Sequence, residues 1–224
     1  MKSNPSFEEV LEFFLNYRAT INEIEIIQYF QNIVTVFNEI RNKEIVCLNT
    51  INNVNELFSR GHLRRINANY AIMRTSADGN CLWNSISNAL FGHENFMILL
   101  RLFTYFSFFK YHNYFVNICR NETECLDFYI REALTLGEWG RDINFLALSI
   151  ILSRKIFVYA KTVPVEPELQ LGRSIIEVHS DNYPVLIHFN RNHFETIIPA
   201  NNNILLEPPQ LNWYPPAPTD ITFY

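Results

Sequence analysis

The stretch Asp78, Gly79, Asn80, Cys81, Leu82, Trp83, Asn84, Ser85, Ile86, Ser87 puts a cysteine where a loop turns into a helix. Asp78 and Asn80 are capping residues, and Gly79 permits a tight loop ahead of the cysteine. Leu82, Ile86, Ala89 and Leu90 then repeat at helical spacing and form a stripe for burial. Cys81 therefore falls at or just inside a helix N-terminus, on a more polar face that it shares with Ser85 and Asn88. The unpaired amides and the dipole at such a terminus stabilise a thiolate, the nucleophilic form of cysteine. A free cysteine near a helix start also fits a small buried hydrophobe, so the reading depends on a partner base.

His193 is the candidate base. Residues Pro184 to Ile198 read as two strands joined by a tight polar turn at Asn190 to Asn192. Side chains alternate along a strand, which groups His193, Glu195 and Ile197 on one face and Phe194, Thr196 and Ile198 on the other. Glu195, two residues along, is expected to reach the imidazole and hold its tautomer. A base with an orienter is what a cysteine nucleophile requires.

The Asp78 to Ser85 stretch, with Cys81 followed by an apolar and an aromatic residue, resembles the catalytic cysteine loop of the OTU (ovarian tumour) family of cysteine deubiquitinases. Further stretches match in the same order. Gly137, Glu138, Trp139 and Gly140, followed by Ile143, Leu146, Ala147, Leu148 and Ser149, resemble the family's tryptophan-glycine segment and the helix after it. Ile156 to Tyr159 resemble the next strand, and His193 with Phe194 resembles the histidine motif. The resemblance implies Cys81 as nucleophile, His193 as general base, and Asp78 as the residue that shapes the loop whose amides, at Gly79 and Asn80, receive an oxyanion. Glu195 falls where the family usually has an Asn or Asp orienter. It is one methylene longer than Asp, which leaves Asn190 as a second candidate for that role. Asn84 stands where many members carry an arginine, and Trp83 replaces the commoner Phe or Tyr.

The activity implied is thiol-dependent hydrolysis of isopeptide bonds in ubiquitin or ubiquitin-like conjugates. Ubiquitin or polyubiquitin chains are then the partners, and no metal or organic cofactor is implied. The alternative is a ubiquitin-binding or scaffold module that keeps the fold without efficient turnover.

Composition bounds the rest. With 224 residues, 48% of them hydrophobic and 15% aromatic, the chain can bury one substantial core with an appendage. Its 18 Lys and Arg against 23 Asp and Glu give a net charge of -5, which argues against nucleic acid as the main partner. Met1 to Val10 lack the apolar core of a secretory signal, and Cys47, Cys81, Cys119 and Cys125 have neither CxxC nor zinc-ligand spacing. A reducing, cytoplasmic location is the expectation. The apolar run Phe96 to Phe109, interrupted by Arg101 and ended by Lys110, is too short to span a bilayer and reads as a buried helix.

Three regions follow. Residues 1–48 form a helical extension, with capping-box pairs Ser6/Glu9 and Thr20/Glu23 ahead of apolar stripes. Residues 49–200 form the OTU-like domain. It has a short helix at Asn53 to Phe58, the cysteine helix, and helices over 94–116, 123–136 and 142–152. Strands follow over 155–160, 174–179, 184–189 and 193–199. Helices first and strands later predict an α+β, papain-like architecture with helices around a small central sheet. Residues 201–224, with Pro208, Pro209, Pro215, Pro216 and Pro218, predict polyproline II or an irregular strap.

Overall fold

The computed structural model describes residues 63–65, 70–120, 125–152, 154–160, 171–177, 184–199 and 222–223. Strand formers rich in Ile, Val, Phe and Tyr pair into one mixed sheet. Its strands are β1 (Leu63–Arg65), β2 (Tyr70–Met73), β3 (Ile156–Ala160), β4 (Leu171–Glu177), β5 (Val185–Asn190), β6 (His193–Pro199) and β7 (Thr222–Phe223), in the order β1-β2-β6-β5-β3-β4-β7. β3 and β5 run parallel, and the other pairs run antiparallel. β5 and β6 form a hairpin whose turn residues, Arg191 and Asn192, have φ of 50° and 68°. Two left-handed residues are what a type I′ turn needs to match strand twist. Asn accepts that conformation readily, and Arg191 does so at about 1 kcal/mol.

The helices are α1 (Cys81–Phe91), α2 (Met97–Lys110), α3 (His112–Cys119), α4 (Leu126–Leu134) and α5 (Asp142–Leu152). Trp83, Phe91, Phe103, Phe108, Phe115 and Phe145 are fully buried among them and anchor the core. α1 stops at Gly92, whose left-handed backbone (φ 78°) lets its N–H close on the Asn88 carbonyl. Among the described residues no helix is long and apolar enough to cross a membrane.

The expected order of helices first and strands later needs correction, because β1 and β2 precede the cysteine helix. At three and four residues they are too short to display an alternation. Ala71 and Ile72 are both buried, so even the neighbouring positions of β2 do not alternate between core and solvent. β2 exists because β6 supplies its partner, in a register running from Tyr70 opposite Pro199 to Met73 opposite Thr196. The helix expected over 94–116 divides at Tyr111 into α2 and α3. β4 begins at Leu171 rather than Ser174. In the proline-rich tail, Thr222 and Phe223 pair with β4, beyond the last proline, where backbone N–H groups are again available. The helices expected within 1–48 and at 53–58 lie outside the described residues, as does the rest of the tail.

Two polar contacts fix α1 against the sheet. The Thr196 hydroxyl on β6 donates to the Ser85 carbonyl at 2.6 Å, and the Asn88 amide reaches the Arg74 carbonyl just past β2 at 3.5 Å. The helix that begins with Cys81 is thereby held on the strand that begins with His193.

Candidate active site

The loop before Cys81 is built on side chains that replace the backbone bonds a tight turn loses. Asp78 Oδ1 accepts the Asn80 N–H at 2.9 Å, an Asx turn, and the Asn84 side-chain amide at 3.3 Å. Gly79 has φ of 84°, and a Cβ there would lie 1.8 Å from the Gly137 carbonyl oxygen. The Asp78–Asn80 turn and the Gly137–Gly140 segment are thus packed backbone to backbone.

Asn80 occupies the N-cap position of α1, yet its side chain makes no capping bond. Its Oδ1 instead accepts from Arg101 Nε at 3.0 Å, from Arg101 Nη2 at 2.6 Å and from the Gly137 N–H at 3.0 Å. Arg101 also donates to the carbonyls of Glu132 and Glu138, both at 2.7 Å, and its guanidinium lies 3.6 Å from the Trp83 ring centroid. The planar fork of arginine makes this possible, since its donors leave in several directions from one rigid group. Burial pulls the Arg101 pKa down to about 10 against the opposing charges of Asp78, Glu138 and Glu132, which leaves it charged at neutral pH. In the sequence Arg101 only interrupts an apolar run. The signal available was a lone arginine inside a phenylalanine-rich helix, where a charge is retained only if it is paired.

Cys81 is the first residue of α1 and is buried, at 6% exposure. Burial pushes its thiol above the ordinary 9.0, and the negative charge of Asp78 adds to that rise. The amides of Phe194, Leu82 and Cys81 itself act in the opposite direction. The helix-terminal amides that predict a thiolate are therefore present but outweighed by desolvation. Asp78 is shifted the other way. Burial raises its carboxyl, but the bonds from Asn80 and the Arg101 charge bring it below 3.8. Cys81 opens onto a cleft of about 380 Å³ whose lining includes Trp139, Gly140, Asn192 and Phe194. Trp139 is 56% exposed at its edge.

His193 opens β6 opposite Asn190, the second candidate orienter. Its Nε2 lies 3.1 Å from the Thr75 hydroxyl. The expected bond from Glu195 to His193 is not the one formed. Glu195 Oε2 instead meets His188 Nδ1 at 3.1 Å and Arg64 Nη2 at 3.5 Å. The reason is sheet geometry. Glu195 stands directly opposite His188 across the hairpin, a separation of about 5 Å, whereas positions two apart on one strand are about 7 Å apart. Burial raises the Glu195 carboxyl, but the bond from His188 and the charges of Arg64, His188 and His193 outweigh it and hold the group below 4.5. Thr75, His188 and Arg101 are the residues the sequence did not single out. Among the described residues no group of three or more metal-ligating side chains occurs.

The buried cysteine at the start of α1 opens onto a cleft, and α1 is held on the strand that begins with histidine. The family model described as OTU-like cysteine protease matches residues 76–194, and the chain belongs to that family. The viral OTU domain protease from Taggert virus is similar in structure at 15% identity and a TM-score of 0.52, covering 63% of this chain and 87% of its own. The OTUD1 OTU domain aligns at 16% identity and a TM-score of 0.48, over 65% of this chain and 91% of its own. The Hazara virus OTU, in a structure bound to ubiquitin, aligns at 18% and 0.48, over 61% and 86%. A search of curated proteins finds no match.

Proposed function

We propose that the protein is a deubiquitinase that hydrolyses isopeptide bonds in ubiquitin or ubiquitin-like conjugates. The observation that carries this reading is Cys81 itself, placed at the N-terminus of α1 and lining a cleft, behind a loop that lies within the matched residues 76–194 and resembles the family's cysteine loop. Because burial disfavours a standing thiolate, the proton leaves as the sulfur attacks. His193 accepts the thiol proton while Sγ adds to the carbonyl carbon of the modifier's C-terminal glycine. Amides of the Asp78 to Cys81 loop stabilise the oxyanion. His193 then protonates the leaving lysine amine, which departs as the carbon–nitrogen bond breaks and leaves a thioester on Cys81. Water, deprotonated by His193, releases the modifier as a carboxylate and restores the thiol.

One observation favours a second reading, a ubiquitin-binding module with weak turnover: Glu195 is engaged by His188 and Arg64 rather than by the base. The two readings part in one experiment. Ubiquitin carrying an electrophile at its C-terminus is expected to form a single adduct with the wild-type protein and none with Cys81→Ala, by intact mass. Labelling that survives in Cys81→Ala sinks the site assignment. Labelling of Cys81 without cleavage of any diubiquitin favours the weak module.

A further inference from the structure

We propose that Thr75 is the positioning residue of His193, holding the imidazole as the tautomer that carries its hydrogen on Nε2 and leaves Nδ1 as the basic nitrogen. The inference rests on the reading of His193 as general base and names the group that replaces the carboxylate expected for it.

The Thr75 hydroxyl has one hydrogen and two lone pairs. Its oxygen lies 2.5 Å from the Phe194 carbonyl oxygen, which has no hydrogen to give, so the hydroxyl hydrogen is spent there. The second contact of the same hydroxyl, to His193 Nε2 at 3.1 Å, must then use a threonine lone pair and an N–H on the ring. Nε2 is the donor, and the neutral imidazole keeps its free lone pair on Nδ1. The arrangement holds before and after proton uptake, because an imidazolium also carries Nε2–H.

The hydroxyl is itself held in place. β2 pairs with β6 as far as Met73 opposite Thr196, and continuing that register by two residues brings Thr75 opposite Phe194. On one side, the Arg74 carbonyl receives the Asn88 amide at 3.5 Å. On the other, the Ser76 N–H and hydroxyl grip the two oxygens of Glu94 at 2.8 and 2.6 Å. Thr75 is therefore fixed from both flanks, as an orienter must be to restrict a ring at the start of a strand.

A neutral orienter has a consequence that a carboxylate lacks. It sets the tautomer without adding negative charge beside an imidazolium, so a resting thiolate–imidazolium pair gains less from it than from a carboxylate. That matches a cysteine whose proton leaves only during attack.

The test uses the full-length chain with Thr75→Val, which keeps shape and removes the hydroxyl, and Thr75→Ser, which keeps the hydroxyl. Nitrogen-15 NMR of the His193 ring is expected to show Nε2–H in the wild type and in Thr75→Ser, and a mixture of tautomers in Thr75→Val. Turnover of a ubiquitin C-terminal amide is expected to lose about 10- to 100-fold in kcat in Thr75→Val with KM nearly constant, and to recover in Thr75→Ser. A wild-type ring protonated on Nδ1, or a Thr75→Val protein with wild-type tautomer and kcat, overturns the proposal. Absence of turnover in the wild type would strike the proposed function alone, since the NMR measurement needs no substrate.

Discussion

Asn80 Oδ1 gathers three hydrogen bonds from a buried arginine and a loop amide, whereas among the described residues the imidazole of His193 meets a single threonine hydroxyl. The Cys81 loop is tied through Arg101 to three further backbone carbonyls and is pressed against the Gly137 backbone. His193 stands half-buried at the tip of a hairpin whose turn, Arg191 and Asn192, is exposed. The difference separates two design problems. An oxyanion-binding loop must hold several amides in fixed directions, which takes redundant contacts. A base needs one ring nitrogen directed and must still take up and release a proton, which one neutral contact allows. Damage on the cysteine side is therefore expected to reach both stability and catalysis, and damage on the histidine side to reach catalysis first.

The strongest challenge to that contrast is Gly79→Ala. The new Cβ would sit 1.8 Å from a backbone oxygen, at a φ of 84° that alanine resists. Relief requires the Asp78 and Gly137 loops to part. The expected cost is about 2–4 kcal/mol of stability and, since a displacement of about 1 Å near the reacting atoms costs about 100-fold, a comparable loss in kcat/KM. Thermal unfolding and turnover measured together decide it. A variant with the wild-type melting temperature and rate would show that the loop packing has no role.

Arg101→Met comes next. It fills similar volume but leaves Asn80 Oδ1 and the carbonyls of Glu132 and Glu138 without their charged donor, at about 2–4 kcal/mol. Arg101→Lys should recover little of this, because an ammonium cannot span three acceptors spread around one plane. Full recovery by lysine in a denaturant titration would mean that charge rather than geometry holds the loop.

The same contrast explains what could be read before any coordinates. The cysteine loop was legible because Asp78, Gly79, Asn80 and the stripe from Leu82 act over a few residues, where turn chemistry and helical periodicity operate. The strands β3, β5 and β6 were legible because they are long enough to show strand formers between turns. Arg101 and Thr75 were not, since each acts on residues brought near by topology: Arg101 on Asn80 and on the loop after α4, Thr75 on a strand at the other end of the domain. Glu195 shows the limit most directly. Its spacing from His193 was right for a shared face, but the choice between His193 and His188 depended on the hairpin register.

Glu195→Gln should give the smallest effect, and its pH dependence makes it informative. The folded carboxyl lies below 4.5, because the His188 bond and the charges of Arg64, His188 and His193 outweigh the burial that would raise it. A depressed pKa means that folding favours the ionised form. Its contribution is therefore fully present above the unfolded value and fades as pH falls through the lower folded value. Glutamine keeps an acceptor for His188 but loses the charge. The variant is expected to be less stable than wild type by about 1 kcal/mol at neutral pH. The gap should close below pH 4.5 as the wild-type carboxylate is protonated. Turnover at neutral pH should change by less than about threefold, because the carboxylate braces the hairpin through His188 and makes no hydrogen bond to His193. A loss as large as that of Thr75→Val would make Glu195 a second orienter of His193 and remove the asymmetry between the two halves of the site.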